Sequence, residues 1–256
     1  MEIVKSLLYK CISYPEDQVY DKFIEKLEDY IININMNNIK SVKQNKNKLK
    51  GDILEIMCLN LIKNNSFKQI KCKNAWLFKD LPDELRNGFG FNNGKDMGID
   101  IIVETLHSEW YAIQCKYRKN PGTGTINIEK DGKHMKIHKK WQVKWSELST
   151  FYSLCERTGI DRTMIIDGER VTKKCWDKHV VITTAESINR QGRKNEKDLS
   201  ICVGTFRGIP KDEWFKLLGD VGHTVTESEN VVEKPVEIKP DIDLIRQKRL
   251  LALEKK

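Results

Sequence analysis

Gly98-Ile99-Asp100-Ile101-Ile102-Val103 and, further on, Trp110-Tyr111-Ala112-Ile113-Gln114-Cys115-Lys116 decide how this chain is read. Two apolar, largely β-branched runs flank the polar tip His107-Ser108-Glu109, which predicts an antiparallel hairpin. Side chains alternate faces along a strand. Asp100 therefore opposes the apolar face of Ile99, Ile101 and Val103, while Gln114 and Lys116 share a face. A carboxylate, a carboxamide and an ammonium meet on adjacent strands. These groups suit holding a divalent cation and a water beside a phosphate.

Upstream, Val19, Phe23, Leu27 and Tyr30/Ile31 recur at helical spacing after a Pro-Glu-Asp start, predicting a helix over Pro15–Ile32. Asn33–Asn47 is rich in Asn and Lys and reads as a flexible connection. Leu49–Ile62 is a strongly apolar helix with Glu55 on it, a carboxylate on a face shared with Cys58, Leu59 and Ile62. A bare carboxylate there is expensive to bury, and a metal or a lysine would resolve the cost. A strand is expected between Phe67 and Phe78, then a loop through Pro82 and the Gly88/Gly90/Gly94 cluster.

Downstream, Pro121–Lys140 reads as loop or a small ribbon. Trp141, Trp145, Leu148, Tyr152 and Cys155 predict an amphipathic helix over Gln142–Arg157, ended by Gly159. Thr163–Ile166, Val180–Thr184 and Ile201–Val203 read as strands, and Lys211–Leu218 as a helix. This order predicts an α/β fold with a central sheet flanked by helices and an N-terminal helical extension. The expected division is residues 1–47 as extension and connector, 48–222 as the main domain, and 223–256 as a linker followed by a charged helix.

Composition narrows the partners. The net charge is +8, and Lys116 to Lys144 alone carries nine Lys or Arg against Glu129 and Asp131, a net +7. A second acid-free run, Lys40–Gly51, holds Lys40, Lys43, Lys46, Lys48 and Lys50. Solvated lysine loops would give the same count, but basic charge beside a metal-type site suits a polyphosphate ligand. The expected contacts are Arg118, Lys119, Lys133, Lys136, Lys139, Lys140 and Lys144, with Tyr117 and Trp141 reaching sugar or bases.

Several classes are set aside. No run approaches the ~20 apolar residues of a membrane span, and the N-terminus lacks a secretory pattern. Seven cysteines without a CxxC pair argue against a disulfide scaffold or zinc knuckle. The expectation is a protein of a reducing cell interior, cytoplasm or nucleus, neither membrane-bound nor secreted. The Gly88–Asp96 loop has the wrong glycine spacing for a phosphate loop, with Asp96 standing where Ser or Thr should be. His134 and His138 lack further ligands to complete a zinc set.

Asp100, Gln114-Cys115-Lys116 and the helix-borne Glu55 together resemble the PD-(D/E)XK nuclease superfamily, and Asp96-Met97-Gly98-Ile99-Asp100 with Gln-x-Lys looks most like its Mrr-type restriction endonucleases. Trp145–Tyr152 and Lys178–Thr184 resemble nuclease modules joined to helicases in large DNA viruses. The resemblance implies a restriction-endonuclease-like core over roughly residues 48–218. It implies DNA hydrolysis leaving a 5′-phosphate with Mg²⁺, for which Mn²⁺ substitutes. Asp100, Glu55 and the Cys115 carbonyl would be ligands, and Asp96 a supporting one. Lys116 would position the nucleophile, and Gln114 stands where an acid is commoner. Double-stranded DNA is the implied partner, with a homodimer for double-strand cutting and a helicase domain or subunit as associate. Two other readings stay open: a Holliday-junction or structure-specific nuclease, and a DNA-binding module whose site has degenerated at Gln114.

Overall fold

The structure, a computed structural model, describes residues 1–34, 39–91, 98–121, 125–130, 133–138, 141–167, 169–190 and 195–219. In chain order these form α1 (Glu2–Tyr9), α2 (Val19–Asn33), α3 (Ile39–Lys63), β1 (Cys72–Leu77), α4 (Asp83–Gly88), β2 (Ile101–Thr105) and β3 (Trp110–Lys116). Then come β4 (Thr125–Lys130), β5 (Lys133–His138), β6 (Gln142–Lys144), α5 (Ser149–Cys155), β7 (Ile160–Ile166) and β8 (Glu169–Cys175). The last are β9 (Lys178–Thr183), β10 (Ser187–Asn189), β11 (Asp198–Ile201), α6 (Val203–Arg207) and α7 (Lys211–Phe215).

A five-stranded mixed sheet in the order β1-β2-β3-β9-β11 forms the centre. β1, β2 and β3 run antiparallel as a meander, and β9 and β11 join β3 in parallel. The hairpin between β2 and β3 turns where the sequence predicts, with Ser108 at φ 59°. The Thr105 hydroxyl closes the tip, accepting from the N–H groups of His107 (3.3 Å) and Glu109 (3.1 Å).

Both faces of the sheet are covered, which explains why the strands are apolar on both sides. On one face Ile101, Val103, Tyr111, Ile113, Cys115, Val180 and Ile182 meet α3 through Ile53, Leu54, Met57, Cys58, Leu61 and Ile62. The same core takes in Val4, Leu7 and Leu8 of α1, Phe23 and Leu27 of α2, and Trp214 of α7. Each fully buried aliphatic side chain here contributes about 1.5–3 kcal/mol. On the other face Ile102, Ala112 and Val181 pack against Phe89, Phe151, Leu148 and Trp176. A buried polar group sits among these apolar residues: Asp198 bonds the His179 ring (3.3 Å) and Arg190 (3.0 Å), and Arg190 also reaches Ser200 at 2.6 Å.

Several expected elements take another form. Helix begins within the expected Asn33–Asn47 connection, since α3 starts at Ile39, and Lys46 donates to the Ile32 carbonyl at 3.0 Å. Lys and Gln are good helix formers, and the Asn-rich look hides it. The helix expected over Gln142–Arg157 is shorter, because Gln142–Lys144 pair in parallel with β10 and bury Val143. A 3-10 turn over Trp145–Glu147 follows, and α5 starts only at Ser149. Local periodicity is overridden there by strand pairing. The strand expected from Phe67 is confined to Cys72–Leu77, and α4 occupies part of the expected loop. The strand expected over Ile201–Val203 ends at Ile201, and Val203 opens α6. The linker and charged helix expected after residue 222 lie outside the described residues.

Candidate active site

Where β2 begins and β3 ends, main-chain and side-chain bonds replace the regular ladder. The Asp100 N–H donates to the Ile113 carbonyl and the Phe78 N–H to the Asp100 carbonyl, each at 2.8 Å. The Asp100 carboxylate accepts from the Cys115 N–H at 2.6 Å, through Oδ2. It thereby takes the place of a strand carbonyl. On the far side of β3, the Lys116 carbonyl accepts from the Thr183 hydroxyl (2.8 Å) and the Thr184 N–H (3.3 Å). Main-chain groups of successive residues point to opposite sides of a strand. The Cys115 carbonyl therefore points towards β2 and Asp100, as its N–H does.

Gln114 lies one step beyond the Ile101–Ile113 pair, opposite Asp100, and is only 4% exposed. Its Oε1 is buried without a hydrogen-bond partner among the described residues. Its Nε2 lies against Gly98, which adopts φ 106°, and a Cβ there would come within 3.1 Å of that nitrogen. The Gly-Ile-Asp sequence thus clears space for the amide. Lys116 is half-buried, and its ammonium makes no hydrogen bond or ion pair among the described residues.

Glu55 lies on α3, which packs against the face of β3 that carries Cys115. The Cys115 thiol reports it: a hydrogen bond with Cys58, burial, and the negative charges of Asp100 and Glu55 all hold it well above its usual range. Both carboxylates therefore lie near enough to the Cys115 thiol, on the α3 side of β3, for their charge to act on it. Among the described residues no three His, Cys, Asp or Glu side chains gather as a metal centre. The donors available are instead two carboxylates, a main-chain carbonyl and the Gln114 amide oxygen, a set of hard oxygens. A buried acceptor left unpaired costs about 1–3 kcal/mol. A cation or cation-held water beside Gln114 Oε1 would relieve this cost, so the residues fit a hard divalent ion. Asp96 lies outside the described residues.

The basic residues are distributed unevenly. Arg118 is already engaged, its guanidinium bonding Glu147 and, at 2.8 Å, the Tyr117 carbonyl. Lys119 is mostly exposed, 3.8 Å from Glu28. Lys144 is exposed, and its N–H is taken by Glu147 at 2.8 Å. Lys133 and Lys136 fall on β5 of the β4–β5 ribbon, their side chains outside what is described, and Lys139 and Lys140 lie wholly outside it. The Tyr117 hydroxyl is committed to Glu28 and the Trp141 N–H to the Arg118 carbonyl (3.1 Å), so neither polar group is free for a sugar or base. Sequence reasoning missed Glu28 and the Thr183-Thr184 pair. A Thr-Thr step closing an apolar strand was the only available signal for the pair, and Glu28 gave none.

Residues 63–130 match the family model Mrr_cat_2, which describes a restriction endonuclease. The matched stretch contains Asp100, Gln114, Cys115 and Lys116, and leaves Glu55 outside. The match covers well under half of the chain and is consistent with the PD-(D/E)XK resemblance and a restriction-endonuclease-like fold. Among solved structures the chain is similar to the ATP-dependent Type ISP restriction-modification enzyme LlaBIII bound to DNA. The identity is 16% and the TM-score 0.41, over 91% of this chain and 11% of that enzyme. This chain thus spans a small part of that enzyme's length. Comparison with curated protein sequences gives no match. Among the described residues no helix is long and apolar enough to cross a membrane.

Proposed function

We propose that this chain is a metal-dependent DNA endonuclease of restriction-enzyme type. The observation that carries the reading is the bond of the Asp100 carboxylate to the Cys115 N–H, next in sequence to Lys116, whose ammonium has no partner among the described residues. It joins both halves of the motif at one strand end. Asp100, Glu55 and the Cys115 carbonyl would hold Mg²⁺ or Mn²⁺. Such an ion, when bound, lowers the pKa of a water and offsets charge on the scissile phosphate. Lys116 orients the attacking water by hydrogen bonding and stabilises the charge that grows on the phosphate oxygens. Gln114, whose amide oxygen is buried without a partner among the described residues, would offer that oxygen to the ion or to a water it holds. It carries no charge, so the site holds metal more weakly than one with an acid at that position.

The nuclease unit is read as residues 48–222, with the helices of 1–47 built onto its core and 223–256 following. Double-stranded DNA lies along Arg118, Lys119, the lysines of 133–140 and Lys144, and a homodimer would cut both strands by symmetry with the duplex. Association with a helicase, in a cell interior, belongs to the same reading. The test is cleavage of plasmid, modified DNA and branched junctions with Mg²⁺ or Mn²⁺ against EDTA, beside Lys116→Ala and Asp100→Ala. Each substitution should lower cleavage by ~10²–10³ or more while DNA is still bound. Equal cleavage by wild type and both variants would sink the assignment. Binding without cleavage would instead favour the DNA-binding module, for which the neutral Gln114 argues.

A further inference from the structure

Immediately after Lys116 the chain is fastened from the opposite face. The Tyr117 hydroxyl donates to Glu28 of α2, and the same carboxylate takes the Lys50 ammonium of α3 at 2.7 and 2.8 Å. The Lys50 ammonium also lies 5.3 Å from the centre of the Tyr117 ring, and Lys119 adds a charge at 3.8 Å. The Glu28 and Lys50 side chains are only 15% and 14% exposed, so loss of one partner would strand a charge largely out of water. Two helices and the end of the catalytic strand thus converge on one carboxylate.

The proposed chemistry leaves Glu28 without a role at the phosphate. Its effect on Lys116 is indirect but geometrically direct in sense. Tyr117 packs towards the helix-side core, and consecutive side chains leave an extended chain on opposite faces. Fixing the Tyr117 ring against α2 and α3 therefore fixes the direction in which Lys116 leaves the backbone. On the next residue, Thr184 and Glu147 hold Arg118. Lys116 itself is left with no side-chain partner among the described residues, so its aim is set by its neighbours.

We propose that Glu28, acting through Tyr117, is a positioning residue that aims the Lys116 ammonium at the scissile phosphate. The proposal rests on the nuclease reading for its purpose. A misplacement of about 1 Å is enough to cost ~10²-fold in rate. A purely structural ion pair would change stability alone. A carboxylate that merely screens Lys50 and Lys119 from DNA would, once removed, tighten binding.

The test uses the full chain with Tyr117→Phe, which deletes one hydroxyl, and Glu28→Gln, which keeps an acceptor for that hydroxyl. Four quantities are read: DNA affinity without divalent metal, melting temperature, single-turnover cleavage at saturating DNA, and the Lys116 side-chain ¹⁵N resonance, assigned by its loss in Lys116→Arg. Tyr117→Phe should slow cleavage by about 10- to 100-fold with affinity unchanged, and should move the Lys116 resonance. Glu28→Gln should fall between it and wild type. An unmoved Lys116 resonance, or a rate that falls only as affinity or folded fraction falls, would overturn the proposal. So would tighter DNA binding by Glu28→Gln at full rate. If wild type cleaves nothing yet the resonance responds, the positioning stands and the nuclease reading fails.

Discussion

Thr184 satisfies both main-chain groups of Arg118 with a single hydroxyl, accepting from its N–H at 2.7 Å and donating to its carbonyl at 2.9 Å. Thr184 is 1% exposed. Its hydroxyl extends the hold of β9 on β3 beyond the last regular pair, Lys116–Thr183. Thr184→Val keeps the shape and removes the bonds. It should destabilise the protein by about 1–3 kcal/mol, the cost of an unsatisfied buried polar group, as read from urea unfolding. A variant as stable as wild type would mean that water enters and takes over the bonds.

Gln114→Glu is the sharpest probe of the site's oxygen donors. With Oε1 buried and unpartnered, a carboxylate there should tighten Mn²⁺ binding, measured by calorimetry, and keep or raise cleavage. Without metal the same variant should melt lower than wild type, because it buries a charge beside Asp100. A lower melting temperature that added metal fails to restore would make Gln114 a structural residue.

The +7 segment invites a binding test. Lys136, Lys139 and Lys140 changed together to Gln should weaken binding to all duplexes alike, since ammoniums contact phosphates and read no base edges. The slope of log affinity against log salt should fall by up to ~0.9 per lost contact. Anisotropy over a salt series measures it. An unchanged slope would move the DNA path to Lys40–Lys50.

His179 supplies a pH dependence independent of the active site. Burial pushes its pKa down, against the opposing pull of the Asp198 carboxylate and, more weakly, Glu156, while Lys197 adds to the depression. The net direction is down, so protonation favours the unfolded chain. Stability is therefore full above the ordinary histidine value of about 6.5 and declines as pH falls through the lower folded value. His179→Gln should flatten the melting temperature over that window. A steeper decline in the variant than in wild type would reverse the assigned sign.

How much of this was legible in the sequence follows from the range of each interaction. The hairpin was readable because its strands, its tip and the Asp100 and Gln-x-Lys positions are local. α2 was readable from Phe23 and Leu27. Gln142–Lys144 misled because Trp141, Trp145 and Tyr152 carry a helical period, while the strand pairing depends on Ile188, far along the chain. Glu28 was invisible for the same reason: its partner Tyr117 lies 89 residues away. Sequence could nominate Asp100, but not that its carboxylate would stand in for a main-chain acceptor to Cys115.

β3 is the middle strand of five, flanked by β2 and β9 and covered on both faces. Amides in such a strand exchange with solvent chiefly when the whole domain unfolds. Deuterium should enter Ala112–Cys115 last of all segments. A site mounted there cannot adjust its own backbone to a substrate without undoing the fold. Under the proposed nuclease function, the adaptation needed for cleavage would fall on the nucleic acid, whose bending and groove width would decide which phosphate comes within reach of Lys116.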